Sequence, residues 1–296
     1  MRIWRSGARS AADEVAEHPA LWLPGALAWI ATVGWLALVI GVARPPTVAE
    51  LTFLGARIFT SGAWPWNLVA GATGVALVIV VGFLLAAAGE AVLLRGRRAS
   101  FADVGRLAVI GLACAAPTAV VLAAAVAVAA GVAPGEFNAP EPGPGPLVRT
   151  AFRVAPFLAA LVVAASAGAA VHAAAARGVA AGRGVLPALR DAPRALAEAS
   201  PAALLLAATL LVARVAYLAL AAVLLRVLWA PIGVRLSGEG IGLAAVLLLV
   251  GFVAIWLCLV LGGGALHAWG SAAWTRILFG ASGHRGDHER ETKRRP

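Results

Sequence analysis

Six stretches of this chain stay apolar for more than twenty residues each: 21–42, 66–88, 107–132, 154–176, 202–225 and 241–266. Between them they contain a single charged residue, Arg214. A helix rises about 1.5 Å per residue, so about 20 such residues cross the roughly 30 Å of a bilayer's hydrocarbon. A helix at the surface of a soluble domain needs a polar face, and these runs have none. Inside lipid every backbone N–H and C=O must be satisfied within the segment, which makes each run a helix. Composition points the same way, with 61% hydrophobic and 13% charged residues and a mean hydropathy of +0.90. Soluble domains have about 45–50% apolar and about 25% charged residues. The expected fold class is therefore all-α: a polytopic integral membrane protein with six transmembrane helices.

The net charge of +10 would suit a nucleic-acid binder if the basic residues were clustered on one face. They are instead dispersed between the apolar runs. Arg2, Arg5 and Arg9 precede the first run, and Arg95, Arg97, Arg98 and Arg106 lie between the second and third. Arg177, Arg183, Arg190 and Arg194 lie between the fourth and fifth. Arg276, Arg285, Arg290, Lys293, Arg294 and Arg295 follow the sixth. Seventeen of the 24 basic residues thus fall on one side. The positive-inside rule makes that side the cytoplasm and puts both termini there. The expected location is a bacterial-type plasma membrane, with membrane lipids as partners and a homo-oligomer or other membrane proteins as candidate partners, and no nucleic acid. Trp64 and Trp66 suit an aromatic belt at the opposite interface.

The N-terminal segment MRIWRSGARSAADEVAEH places acidic residues between its arginines and the first apolar run. That run is also long for a signal peptide's core, so it is expected to stay as a helix. Residues 281–296 read as a polar, disordered cytoplasmic tail. His284, Asp287 and His288 are expected to be solvated there, and no metal or cofactor is expected. Cys114 and Cys258 each sit within an apolar run with no cysteine or histidine at metal-ligand spacing. Both read as small buried hydrophobes.

The basic connections share a pattern with a period of about ninety residues. Ser10-Ala-Ala-Asp13 and Ser100-Phe-Ala-Asp103 both have the form of a helix-capping box, and Asp191 with Pro193 opens the third connection as a plausible cap. The even-numbered runs end alike, in AAAGEAVLLRG, SAGAAVHAAAARG and GGGALHAWGSAAWTRILFG. This alignment superposes Glu90, His172 and His267, a candidate polar cluster on the cytoplasmic side. The reading is one membrane domain, 1–280, of three tandem units at about 8–97, 98–184 and 185–280. Each unit is an amphipathic helix followed by a membrane hairpin.

Six helices in three repeats invite comparison with mitochondrial carriers, but no run here ends in that family's P-x-[DE]-x-x-[KR] signature. In layout, and in segments such as GEAVLLRGRRASFADVGRLA, residues 8–280 resemble the poorly characterised bacterial six-helix membrane proteins related to the membrane domain of glycerophosphodiester phosphodiesterases. The resemblance implies amphipathic cytoplasmic connections alternating with hairpins. It implies no chemistry, because the soluble phosphodiesterase domain of those enzymes has no counterpart in this sequence.

Arg214 is the feature that most needs explaining. A charge at mid-membrane costs from about 3 to over 10 kcal/mol. No other run carries a carboxylate at that depth, and Glu90 is expected near the cytoplasmic end of its helix. Three readings stay open: Arg214 bonded to backbone carbonyls and hydroxyls with Tyr217 one turn along, Arg214 lining a watery cavity that holds an anion, or a shifted span. Arg214 and Tyr217 are thus the candidate ligand-binding pair. The sequence contains no HExxH, Walker A or GxSxG pattern. The expectation is a non-enzymatic membrane component that acts through helix and lipid contacts in envelope organisation or assembly. The alternative is a carrier or permease component for a small anionic or lipid-like molecule, with Arg214 reading its charge.

Overall fold

A computed structural model describes residues 2–43, 50, 53, 57, 60–138, 145–238 and 242–292, with side chains for all of these except 2–4, 97, 147 and 280–292. The described residues are all-helical, with no strand. We label the helices α1 (Arg2–Glu17), α2 (Pro19–Val42), α3 (Trp66–Arg95), α4 (Phe101–Asn138), α5 (Pro146–Ala180), α6 (Val185–Ala199), α7 (Ala202–Gly238) and α8 (Leu243–Thr292). Among the described residues six segments are long and apolar enough to cross a membrane: Pro19–Val42, Trp66–Arg95, Phe101–Glu136, Val148–Ala180, Ala202–Leu236 and Leu243–Phe279. Each matches one apolar run of the sequence. Most continue beyond it, because amphipathic sequence at the ends extends a helix that lipid has already made necessary. Pro117, Pro134, Pro156 and Pro231 lie inside these helices, where neighbouring helices and polar side chains can take up the freed carbonyls.

The three connection signals fare differently. Ser100 and Asp103 form the expected reciprocal box: the Asp103 N–H donates to Ser100 Oγ at 3.2 Å, and the Ser100 N–H donates to Asp103 Oδ2 at 3.1 Å. Arg95 adds an ion pair to the same carboxylate oxygen at 3.1 Å. Ser10 and Asp13, by contrast, lie inside α1, which starts eight residues before Ser10. The amphipathic segment ahead of the serine is itself helix-compatible, so the capping signal is overridden. Asp191 is likewise interior to α6, whose N-cap is Gly184, and Pro193 sits in the middle of that helix. The helix is set by its apolar face, along which Ala188, Ala192 and Ala199 are buried. Asp191 instead pairs with Arg183 at 2.8 Å.

The contacts divide into two compact units. One is built from Ser6–Gly105 with Thr209–Ala273. In it, glycines let backbones approach. A Cβ on Gly89 of α3 would strike the Pro24 carbonyl of α2, and one on Gly264 of α8 would lie 2.5 Å from the Ala26 nitrogen. Trp29, 2% exposed, fills the space left by Gly34 and Gly263 and meets Tyr217 edge-on at 5.7 Å. A π-helical turn, Ile30–Gly34, follows it directly, with Thr32 Oγ1 donating back to the Ala28 carbonyl at 2.8 Å. Below this, Ala37, Ala221, Leu225, Ile232 and Phe252 complete one apolar cluster.

The other unit comprises Arg106–Ala208 with the chain from Trp274. A Cβ on Gly168 of α5 would lie 2.5 Å from the Cys114 carbonyl of α4. The two helices are also clamped at the far end, where Glu136 accepts from Arg149 Nε at 2.8 Å and Arg153 Nε at 3.4 Å. Helix α6 lies close on α5 because Gly178 has no side chain; a Cβ there would sit 3.1 Å from Ala188 Cβ.

These approaches make glycine identity testable. Gly264→Ala is expected to destabilise the purified protein by about 1–3 kcal/mol through overpacking against backbone. Gly74→Ala, where nothing lies within 4 Å, should be neutral or gain about 0.5–1 kcal/mol from helix propensity. Thermal melts of the two variants beside wild type check this, and equal shifts would contradict it.

Candidate functional site

The polar side chains that the sequence singled out come together only in part. Within the unit containing α2 and α3, Glu90 lies five residues before the end of α3 and is buried. Its Oε1 accepts the Ser271 hydroxyl of α8 at 2.9 Å, and its Oε2 lies 3.2 Å from His267 Nε2. His267 and Ser271 are four residues apart on one helix, so both face the same neighbour. The Glu90–His267 contact is a hydrogen bond when the imidazole is neutral with its proton on Nε2. It becomes an ion pair when the ring is protonated.

Arg214 belongs to the same neighbourhood. A Cβ on Gly270, the residue before Ser271, would lie 3.8 Å from Arg214 Nη2, and the Glu90 carboxylate acts on the guanidinium through space. The arginine thus has a carboxylate within electrostatic reach, which counting along the apolar runs did not anticipate. The reason is geometric. Helix α7 has 37 residues, or about 55 Å, and α3 has 30, or about 45 Å. Both exceed the bilayer core, so counting from one end of an apolar run does not fix depth. The arginine side chain also leans toward its helix's N-terminus, which is the direction of Glu90 for helices antiparallel in a hairpin layout.

Tyr217, expected beside Arg214, is committed elsewhere: its hydroxyl donates to the Leu259 carbonyl of α8 at 2.7 Å, and its ring packs on Trp29. His172 lies on α5, in the other unit, and is partly buried. Of the two cysteines, both are free; Cys114 is partly buried, but Cys258 is exposed rather than buried. An apolar residue on a membrane helix is as stable facing lipid as facing protein, so its hydrophobicity does not choose between them. The side chains of His284, Asp287 and His288 lie outside the described residues.

Two further groups were not recognised from sequence. Ser271 was one; the His-x-x-x-Ser spacing on a helix is the signal that would have paired it with His267. Arg177 was the other. It reads as a topology charge at the end of α5, yet it is 2% exposed. Its Nη1 donates to the Ala173 carbonyl at 2.7 Å and its Nε to Thr275 Oγ1 at 3.1 Å. Its position in the alanine run AAAARG, five residues after His172 as Arg95 is after Glu90, is the available hint.

The chain matches no protein-family model, no curated protein and no solved structure. Its function has to be argued from its own residues.

The cluster predicts asymmetric mutant energetics. Glu90→Gln leaves the Arg214 charge without its carboxylate and should cost about 3–5 kcal/mol, whereas the double variant Glu90→Gln/Arg214→Leu should recover at least half of that loss. A double-mutant cycle on thermal or denaturant unfolding in detergent reads the coupling. Additive losses would mean that the two charges do not interact.

Proposed function

We propose that this is a six-span protein of a bacterial-type plasma membrane, with both termini cytoplasmic, acting without catalysis through helix and lipid contacts in envelope organisation or assembly. The observation that carries the reading is the company of Arg214. Its charge is opposed by Glu90, which Ser271 and His267 hold in turn. The deep arginine then has a role in folding and needs no solute to explain it. The large apolar side chains that face outward, such as Leu77, Val78 and Val250, supply the lipid-contacting surface.

The orientation rests on the arginine and lysine bias between the apolar runs. The three-unit layout gains support from a recurring clamp: Arg95 pairs with Asp103 and Arg183 with Asp191, each eight residues on. A glycine of an even span set against a carbonyl of the preceding span, Gly89 on Pro24 and Gly168 on Cys114, recurs in the first two hairpins. The resemblance to the six-helix membrane proteins described above agrees with this layout and adds no reaction to it.

The carrier reading requires a watery path to Arg214, along which the guanidinium could read an anion. Cysteine reactivity separates the two. In a background with Cys114 and Cys258 replaced by alanine, Leu211→Cys and Leu218→Cys should resist membrane-impermeant thiol reagents from either side of the membrane. Rapid labelling at either position, blocked by a small anion, would favour the carrier. Orientation is read independently by reporter fusions at the C-terminus. A fluorescent protein there should be bright and alkaline phosphatase inactive; the reverse pattern would overturn the topology.

A further inference from the structure

Helix α6 connects two segments that are long and apolar enough to cross a membrane, Val148–Ala180 and Ala202–Leu236. Only residues 181–184 and 200–201 separate it from them. From Ala180 to Val185 and from Ala199 to Ala202 the chain can reach at most about 18 Å and about 11 Å. If both segments span, their ends nearest α6 lie at the same face of the bilayer. Both ends of α6 are then tied to that face, and its 15 residues, about 22 Å, run along it.

Successive residues of a helix are turned by about 100°, which divides the circumference of α6 into sectors. Ala188, Ala192 and Ala199 are buried. Gly178 of α5 admits this side, since a Cβ there would sit 3.1 Å from Ala188 Cβ. Next round the helix comes an apolar sector: Leu196 and Leu189, partly buried, then Pro193, exposed, and Leu186, 77% exposed. Arg190 and Arg194 follow, and Glu198 and Asp191 come after them, opposite the leucines.

The charges in these sectors are not equivalent. Asp191 pairs with Arg183 at 2.8 Å, and Glu198 with Arg194 at 3.3 Å. Arg190 is exposed and pairs with no group among the described residues. It lies one turn beyond Leu186, on the border of the apolar sector. Apolar, then cationic, then acidic is the order that a helix lying in a bilayer interface requires. The leucines enter the acyl boundary, the guanidinium stays level with the phosphates, and the carboxylates face water.

We infer that α6 lies in the headgroup layer of the bilayer, with the Leu186 sector against the upper acyl chains and Arg190 on lipid phosphate. This place exists only in a chain that spans the membrane, so the inference rests on the six-span reading above and adds to it a lipid-binding surface and its contact group. The order of sectors is the same for either leaflet. With both termini cytoplasmic the leaflet is the inner one, whose anionic lipids attract arginine.

The test uses the full chain with Cys114 and Cys258 replaced by alanine, reconstituted in phosphatidylcholine bilayers with and without phosphatidylglycerol. A nitroxide is attached in turn to Leu186→Cys, Asp191→Cys and Leu77→Cys, all exposed positions, and thermal melts check that each variant folds. Collision of the nitroxide with oxygen, set against collision with a water-soluble nickel chelate, reads its depth. The oxygen-to-nickel ratio should be highest at Leu77 and several-fold higher at Leu186 than at Asp191. Phosphatidylglycerol should raise the ratio at Leu186, and Arg190→Gln should abolish that rise. Equal, water-like ratios at Leu186 and Asp191, with Leu77 in lipid, overturn the interfacial helix and leave the six spans standing; the exposed face would then be open to a soluble protein. A water-like ratio at Leu77 overturns both. A ratio at Leu186 that responds neither to phosphatidylglycerol nor to Arg190→Gln overturns the arginine–phosphate contact, and the inference with it.

Discussion

Between two helices surrounded by lipid, burying leucine against leucine gains almost nothing, because acyl chains are equally apolar. What remains to join helices is close approach and polar bonding, and this chain depends on both. Gly25 and Gly264 are each placed where a Cβ would collide with the other helix's backbone, and Gly89 and Gly168 repeat the arrangement in the first two hairpins. Where backbones come this close, van der Waals contact replaces the missing hydrophobic term. The large outward side chains suit a lipid surrounding. The exposure of Leu77, Val78 and Ile79, which would mark an interaction surface on a soluble protein, is the ordinary state of a membrane helix.

Polar bonding is the second device, and it appears wherever a charge is hidden. Glu90 collects a hydroxyl, an imidazole and the field of a guanidinium. Arg177 collects a carbonyl and a hydroxyl. Asp103 collects its own helix's capping donors and Arg95. In each case the groups come from different helices or from a helix and its preceding turn, so each polar knot also fixes which segments are neighbours. In a membrane these contacts specify register more than they add stability. An apolar replacement of a satisfied pair is often tolerated, while removal of one partner is not.

How much of this was legible depends on which residues carried the information. The six spans were, because lipid imposes a length and a composition, and the first run, 21–42, ends with α2 at Val42 and starts within two residues of it. The Ser100–Asp103 cap was legible because its chemistry is local. The equivalent pattern at Ser10 misled, since a cap signal has force only where the preceding residues resist helix. The Glu90–His267 contact follows the repeat alignment, which set both residues at the same place near the ends of their helices. Arg214 was legible as an anomaly, and its carboxylate was not, since depth was counted from the edge of a hydrophobic run and the helices extend well past those edges.

Arg177 shows why charge counting alone leaves a placement hidden. As one of the seventeen basic residues behind the proposed orientation it counts only as a charge, a role that any of them could fill and that needs only solvent exposure. Burial removes it from that set. An arginine that sits inside the fold, oriented by a carbonyl from its own helix and a hydroxyl from another, has been given a direction, and a topology charge needs none. These bonds explain why lysine would not serve: a point charge on a flexible stem cannot be held in a plane by its acceptors. The residue that sequence reading treats as the most routine of the chain's charges is the one whose placement is most specifically constrained.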